Sequence, residues 1–358
     1  MKNTLLKATL ISLISGVGID SLISPVTAQS YRLQSSESAI LIAQSTPDTP
    51  PQPPLVTPNN SISPSLLTPQ IEISKIEIEM LSEGDEPKQK LRFKVPINSK
   101  ETAILVMKMD SNNTLAGNPI PQVKLPINVV EMEMQVTKVD ANGDMHVKFT
   151  YPNVQVVVTD EQVSPEVVRL MRTLMPKLSS VQGEFVIDER GQTKVSKFSL
   201  PSENDPLSQQ LSSQLTNSFN QLSSPIPELA IGKGAKWRTN NYVKVNGISI
   251  KQIANYHLTD IRNGVATIDI KIEQNGEPQA INLPGLPPEL VVKLRSFKTQ
   301  GQGRMKLSFE RLLPLSSTAL LTSSGEMSVK IPGSDKELTT QIDTSMNMSI
   351  RSQPATIK

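Results

Sequence analysis

Cysteine is absent from all 358 residues of this chain. Its absence excludes disulfides and thiolate metal sites, and it removes the residue to which a lipoprotein's anchor is attached. We therefore predict a protein that is not a lipoprotein and carries no cofactor. Burial of apolar side chains must stabilise the fold, which is feasible at this length.

Aromatic residues are scarce, since Phe, Trp and Tyr together make up 3% of the chain. Enzymes that process carbohydrates generally line their sugar subsites with aromatic rings, so this scarcity argues against carbohydrate processing. The chain also lacks the Gly-x-Ser-x-Gly and Ser-x-x-Lys motifs of hydrolases. Its only histidines, His146 and His257, have no neighbouring His or Cys. We predict no catalytic set and no metal site from these residues.

No excess of charge and no long apolar run is present. The formal net charge is +2, and the basic residues form no long cluster, which argues against nucleic acid as a partner. The apolar run at residues 8–19 is too short to cross a bilayer. With Lys2 and Lys7 before it and Val26-Thr27-Ala28 after it, residues 1–28 are typical of a signal peptide. We predict export to the periplasm or the exterior, with no transmembrane span in the mature chain.

Proline dominates the next segment. Residues 29–70 contain eight prolines between positions 47 and 69, among Ser, Thr, Gln and Asn. Because proline fixes φ and lacks a backbone donor, we predict a disordered, semi-rigid linker without sheet or helix.

From Ile71 onward, apolar and polar residues alternate with a period of two, which predicts antiparallel strands. The alternation slips once, at Ser74-Lys75, and we interpret the slip as a bulge in a strand over residues 71–80. Asn-Gly is the preferred pair for a two-residue hairpin turn. It occurs four times, at Asn142-Gly143, Asn246-Gly247, Asn263-Gly264 and Asn275-Gly276.

Three short helices are predicted among the strands. Ser164 and Pro165 begin the first helix, and Pro176 ends it. The second begins at Pro288 and places Leu290, Val291 and Leu294 on one face. The third, over residues 205–224, is amphipathic and connects two larger units.

Those two units have the same order of elements. Asp140-Ala141-Asn142-Gly143 with Pro165–Leu170 corresponds to Asp260–Gly264 with Pro288–Leu294. The order strand, hairpin, helix, strand predicts two tandem copies, at residues 71–204 and 225–352. The fold class is therefore α+β, mostly antiparallel β, with each copy a curved sheet and a short helix packed on it. Whether the copies form one sheet or two lobes stays open.

The stretch from Ile226 through Gly232-Lys233-Gly234-Ala235-Lys236 to Trp237 resembles the start of the second half in a family of bacterial secreted, duplicated β-rich proteins of unknown function. The resemblance implies a similar body over roughly residues 72–350 and brings no catalytic residues with it. The predicted shape is also similar to the half-barrels of periplasmic lipoprotein carriers, as an analogy of architecture alone.

Methionine is placed where aromatic residues would be expected. Pairs two residues apart on a strand share one face, and methionine adapts to irregular apolar shapes. We interpret these residues as the lining of an apolar groove between sheet and helix, or alternatively as ordinary core filling. The predicted lining is Met107, Met109, Met132, Met134, Met171, Met175, Leu290 and Leu294.

Three functions remain open. The first is a non-enzymatic cell-envelope protein that binds an apolar ligand, such as a lipid, or an envelope protein in this groove. The second is a structural or assembly module without a ligand. The third is a hydrolase whose residues meet only in the folded chain.

Overall fold

The computed structural model describes residues 71–72, 76–160, 162–199, 226–245, 248–281, 291–330, 337–353 and 356–357. The predicted signal peptide, the proline-rich linker and the connecting helix at 205–224 lie outside the described residues. Described residues form sixteen strands, one α-helix and one 3-10 helix. The strands are β1 (Ile71–Glu72), β2 (Ile78–Ser82), β3 (Ser99–Leu115), β4 (Asn118–Lys124), β5 (Ile127–Val139), β6 (Met145–Val157), β7 (Gln182–Ile187), β8 (Thr193–Ser199), β9 (Lys236–Val245), β10 (Ile248–Arg262), β11 (Val265–Gly276), β12 (Gln279–Ile281), β13 (Val291–Ser308), β14 (Ser316–Lys330), β15 (Glu337–Ser352) and β16 (Thr356–Ile357). Helix α1 (Pro165–Leu174) is followed directly by the 3-10 helix (Met175–Ser180).

All the strands belong to one antiparallel sheet, so the predicted fold class is confirmed. The order along the sheet is β1-β8-β7-β6-β5-β3-β15-β14-β13-β11-β10-β9-β2. We call β3 with β5–β8 the first half of the sheet, and β9–β11 with β13–β15 the second half. The halves join where β3 pairs with β15 along thirteen residues of each strand, from Ala103 to Leu115 on β3. The two halves therefore form one continuous sheet, which answers the question that the sequence leaves open, because this junction is a regular antiparallel ladder.

Strands β1 and β2 show that the sheet is strongly curved. They are neighbours in sequence, yet β1 pairs with β8 at one edge and β2 pairs with β9 at the other. Glu72 and Ile78 can lie at most about 22 Å apart, since an extended chain spans about 3.6 Å per residue. Thirteen flat strands would span roughly 58 Å at about 4.8 Å spacing. The sheet must therefore bend until its edges approach each other, although β1 and β2 do not pair.

This arrangement corrects the prediction of one bulged strand over residues 71–80. The two alternating pieces exist, but they pair with opposite edges of the sheet. The slip itself, at Ser74-Lys75, lies outside the described residues.

Residues 83–98 then run across one end of the curved sheet. Backbone hydrogen bonds tie this segment to several hairpin ends: Phe93 N donates to Glu189 O at 2.7 Å, and Lys94 N donates to Phe309 O at 2.8 Å. Three of its apolar side chains, Leu91, Phe93 and Val95, are buried, whereas Ile97 is exposed. The alternating pattern here correctly indicates one buried side, although the segment is extended and forms no strand.

Two of the four hairpin signals are confirmed, and one is wrong. Asn263-Gly264 joins β10 to β11 with positive φ at both residues (50° and 72°), as the favoured two-residue turn requires. Asn142-Gly143 lies in the turn between β5 and β6. Asn246-Gly247 lies outside the described residues. Asn275-Gly276 is wrongly predicted, because it lies within the paired part of β11, opposite Lys298 and Phe297.

The second predicted helix is also wrong from Val291 onward. Val291 and Leu294 lie in β13, where Val291 pairs with Lys330 and Leu294 with Met327. The β-branched pair Val291-Val292 favours a strand, and pairing with β14 decides the outcome. Residues 282–290 lie outside the described part of the chain. Helix α1 is confirmed almost to the residue.

Candidate functional site

The six predicted methionines lie in one buried cluster. Met107 and Met109 are on β3, Met132 and Met134 on β5, and all four are less than 9% exposed. Alternation along each strand directs them to the inner face of the sheet. The other two are Met171 in α1 and Met175 in the 3-10 helix, and both belong to the same cluster.

Two further methionines complete the junction between the halves. Met348 on β15 stands opposite Met107, and Met346 stands opposite Met109. Both are buried in the same cluster. Their spacing in the sequence indicates a shared strand face, but only the pairing of β3 with β15 brings them against the predicted lining.

The two predicted leucines do not join this cluster. Leu294 is buried in a second, separate cluster with residues such as Ile250 and Met327. Leu290 lies outside the described residues. The predicted lining is thus assembled in its methionine part, and Leu294 lines a different region of the inner face.

Helix α1 is attached to the sheet through few side chains. Ser164 caps it by accepting a hydrogen bond from Val167 N at 3.2 Å, and Glu166 lies in its first turn. Hydrogen bonds from the Glu166 backbone and from Ser164 hold the pKa of the Glu166 carboxyl below its usual value. Among the side chains of α1 and the first residue after it whose burial is described, Met171 and Met175 are buried, while Leu170 is 45% exposed.

Aromatic rings form the inner surface of β6 and β7 in the first half. Phe149 packs against Tyr151 at 5.7 Å and against Phe185 at 6.0 Å between ring centroids. Burial raises the pKa of the Tyr151 phenol. These rings share the cluster of the methionines, so the interior of this half is packed with large side chains.

A row of polar side chains crosses the inner face of the second half and reaches β3. Each member stands directly opposite the next on the neighbouring strand, so all lie at one level. We call this row the polar belt. From β3 to β9 its members are Ser111, Thr344, Ser323, Thr299, Gln274, Gln252 and Asn241.

The belt separates the two apolar clusters. Along β10, Ala254, Tyr256 and Leu258 on one side belong to the larger cluster, and Ile248 and Ile250 on the other side belong to the smaller one. Because every member is an amide or a hydroxyl, the belt introduces hydrogen-bonding groups without any charge into the interior.

Some side chains of the polar belt have hydrogen-bond partners, and others have atoms without a partner among the described residues. Gln274 Nε2 donates to Gln252 Oε1 at 2.8 Å, and the hydroxyls of Thr299 and Ser323 lie 2.9 Å apart. Asn241 Oδ1 is buried and has no hydrogen-bond partner among the described residues. On β5, opposite Met107, Asn128 is 6% exposed and its Oδ1 also lacks a partner in the described part of the chain. Buried acceptors of this kind are rare, and they are free to bind a donor from outside.

One of the two histidines lies in a cluster of partly exposed charged groups. His146 Nε2 lies 2.7 Å from Asp140 Oδ2, and Lys138 Nζ lies 2.6 Å from Asp140 Oδ1. These two partners, Lys138 first, hold the pKa of Asp140 below its usual value. Within the described ranges, no serine hydroxyl bonds to His146. The second histidine, His257, lies on β10 opposite Asp269.

A cluster of metal ligands and a membrane-spanning helix are both missing from the described residues. These residues contain no group of three or more His, Cys, Asp or Glu side chains placed to hold a metal ion. Among the same residues, no helix has both the length and the apolar character needed to cross a membrane.

The polar belt was not predicted from the sequence. Alternation does indicate that Thr299, Ser323 and Gln252 face inward, because each lies two residues from an inward apolar or small residue. It cannot indicate that they stand at one level, since that depends on the register between strands.

No family model matches the chain, and no curated protein is similar to it.

Proposed function

We propose that this chain is an exported, non-enzymatic cell-envelope protein that binds an apolar ligand between the sheet and helix α1. The observation that carries the proposal is the attachment of α1 through methionine side chains. Met171 and Met175 belong to the same buried cluster as Met107, Met109, Met132 and Met134 of the sheet, and α1 and the 3-10 helix lie against the neighbouring strand β6.

Methionine allows this contact to rearrange. Its unbranched side chain has three rotatable bonds and adapts to different apolar shapes at small cost. An element with few buried side chains also opens more easily than the strands of the core. Helix α1 can therefore move outward and admit an acyl chain or a similar group without unfolding the sheet.

The polar belt supports a ligand that also carries a polar group. An acyl chain held among the methionines would approach two buried polar side chains on the same face of the sheet. Asn128 stands opposite Met107, and Ser111 lies two residues after Met109 on β3. The unpaired Oδ1 of Asn128 accepts hydrogen bonds but carries no charge. Hydroxyl or amide donors on the ligand would satisfy it, whereas an ionised group would be costly to bury there.

Export rests on residues 1–28, whose charged start, apolar centre and Val26-Thr27-Ala28 are those of a signal peptide. N-terminal sequencing of the protein from an envelope fraction should give Gln29 as the first residue. Recovery of intact residues 1–28 on a cytosolic protein would contradict export.

The direct test of binding uses protein purified from its own host without detergent. Native mass spectrometry and solvent extraction should reveal a bound lipid, and the stripped protein should bind the apolar probe 1-N-phenylnaphthylamine. Protein that is repeatedly empty and does not bind the probe would contradict the proposal and favour the structural module.

Paired variants locate the site. Met171→Ile with Met175→Ile keeps the volume nearly constant but introduces stiff, β-branched side chains. We expect probe affinity to fall about tenfold, because the helix contact can no longer adapt. Met327→Ile is the matched control, since Met327 is buried in the other cluster, and it should leave the affinity unchanged. Equal affinity in all three proteins would place binding elsewhere.

We also propose that the two halves derive from duplication of one unit. Phe149 lies six residues after Gly143 and stands opposite Gly183; Ile270 lies six residues after Gly264 and stands opposite Gly303. The neighbouring pairs correspond as well, since Lys148 faces Glu184 and Asp269 faces Arg304. Superposition of the two halves in an experimental structure should align these positions, and an unrelated strand order would contradict duplication.

A further inference from the structure

The outer face of the sheet carries a cleft of about 430 Å³ across β3, β15, β14 and β13. Its floor consists of two adjacent rows of polar side chains, which we call the polar array. The first row is Asp110, Ser345, Thr322 and Gln300, each directly opposite the next. The second row is Asn112, Asp343, Ser324 and Lys298, in the same strand order.

Register fixes the dimensions of the array. Four strands at about 4.8 Å spacing make it roughly 14 Å long across the strands, and two rows separated by two residues make it about 7 Å wide. Short side chains occupy the middle, where Ser345, Thr322 and Ser324 stand. Longer side chains of β13, Lys298 and Gln300, border it on one side. A long, narrow floor of this kind fits an extended ligand that runs across the strands.

The side chains of the array include hydrogen-bond acceptors, a donor and groups that can do both. Carboxylates of Asp110 and Asp343 accept hydrogen bonds, the Lys298 ammonium donates them, and the amides and hydroxyls between them do both. Five of the eight residues, among them Asn112, Gln300 and Ser324, are exposed. Within the described residues, no hydrogen bond joins one side chain of the array to another. Asp343 Oδ2 accepts a hydrogen bond from Gln341 Nε2 at 3.1 Å, and the remaining donors and acceptors of the array can bind a ligand.

We propose that the polar array binds an uncharged polyhydroxylated chain, a glycan. Each sugar hydroxyl is both donor and acceptor, and it needs neighbours of both kinds, which the array supplies in alternation. A strongly charged polymer fits less well, because two carboxylates and one ammonium stand on the same floor. Asp110 is further balanced by Lys124, 3.9 Å away.

This site is independent of the methionine cluster, which lies on the opposite face of the sheet. It binds without cleaving, so it agrees with the sequence-based expectation that the chain does not process carbohydrate. No aromatic ring is among its lining residues, so stacking does not contribute. Solvent-exposed hydrogen bonds contribute little each, and we expect a dissociation constant on the order of 1 mM.

The test uses the exported protein with four probes, each built from six units. Cellohexaose and N-acetylchitohexaose are the uncharged glycans, and hexalysine and hexaglutamate are the charged alternatives. Saturation-transfer difference NMR with titration should detect at least one hexasaccharide and neither peptide.

Matched amide pairs then locate the contact. Asn112→Ala with Gln300→Ala removes two array side chains, and binding should weaken about fivefold. Asn347→Ala with Gln302→Ala removes the same residue types from exposed positions outside the array, and binding should change less than about 1.5-fold. Ser324→Leu fills the floor and should abolish binding. A thermal melt checks that each variant is folded.

Three outcomes would overturn the proposal. One is no binding of either hexasaccharide by the folded protein at about 10 mM, where a site of the expected affinity is nearly full. Another is equal weakening by both amide pairs. The last is binding of a charged peptide, instead of a glycan, that Ser324→Leu removes.

Discussion

The first half of the sheet and the second half have corresponding registers but different interiors. In the first, the ring of Phe149 lies over Gly183, and a Cβ at Gly183 would come within 2.2 Å of that ring. In the second, Ile270 stands opposite Gly303, and no ring occupies the matching place. Corresponding glycines therefore accommodate an aromatic ring in one half and an aliphatic side chain in the other.

What covers the inner face also differs. Helix α1 and the 3-10 helix bury Met171 and Met175 against the first half. The inner face of the second half carries most of the polar belt, from Thr344 to Asn241. A common sheet geometry thus supports an adaptable apolar surface in one half and a hydrogen-bonding surface in the other.

The largest expected effect concerns a buried contact between the two halves. Glu101 on β3 is 1% exposed, and its carboxylate accepts hydrogen bonds from Leu312 N at 2.5 Å and Leu313 N at 2.8 Å in the β13–β14 turn. Glu101→Ala would leave two buried donors unpaired, and we expect a loss of about 3–5 kcal/mol in the free energy of unfolding. Urea unfolding followed by Trp237 fluorescence measures it.

Glu184→Ala is the control within the first half, because Glu184 pairs with Lys148 at 3.2 Å on the exposed face. It should change the free energy of unfolding by less than about 0.5 kcal/mol. If Glu101→Ala costs no more than this control, the buried carboxylate does not hold the halves together.

The next effect compares a glycine from each half. Gly183→Ala places a methyl group into the Phe149 ring, and overpacking of this kind costs about 2–3 kcal/mol. Gly301→Ala meets Leu321 Cγ at 3.1 Å, where a flexible side chain can yield, and should cost less than about 1 kcal/mol. Thermal unfolding of the two variants gives the comparison.

Phe149→Leu in the Gly183→Ala background should recover at least about 1 kcal/mol, since the two positions are in direct contact. Absence of any recovery, or equal costs at Gly183 and Gly301, would show that the ring does not depend on the glycine beneath it.

Local signals explain which parts of the fold could be predicted. Ser164 and Pro165 identify the start of α1 through capping alone, and Asn263-Gly264 identifies its hairpin through backbone preference alone. Asn275-Gly276 carries the same signal, yet pairing with β13 keeps it inside a strand. Val291 and Leu294 fit a helix by spacing, but their pairing with β14 decides otherwise.

The candidate site also has a part that the sequence predicts and a part that it does not. Met107 and Met109 share a face by period two, so the sequence places them together. That Met348 and Met346 oppose them depends on β3 meeting β15, strands far apart in the chain. Both the polar belt and the polar array are products of strand order and register, which no single segment of sequence specifies.

The smallest expected effect uses the corresponding charge pairs. Hydrogen bonds from Arg304, at 2.6 and 2.9 Å, hold the pKa of Asp269 below its usual value. A depressed carboxyl pKa stabilises the fold above the unfolded value of about 3.9, and the stabilisation is lost as the pH falls through the folded pKa. Asp269→Asn should lower the Tm at pH 7 by about 1 °C or less, because the pair is exposed. The difference from the unmodified protein should shrink below about pH 4.

Glu184→Gln, whose partner Lys148 makes one contact at 3.2 Å, should change the Tm even less. If the Tm difference between Asp269→Asn and the unmodified protein grows on acidification, the pKa of Asp269 is not depressed. The geometry would then no longer explain why the Asp269–Arg304 pair should stabilise the fold more than the Glu184–Lys148 pair.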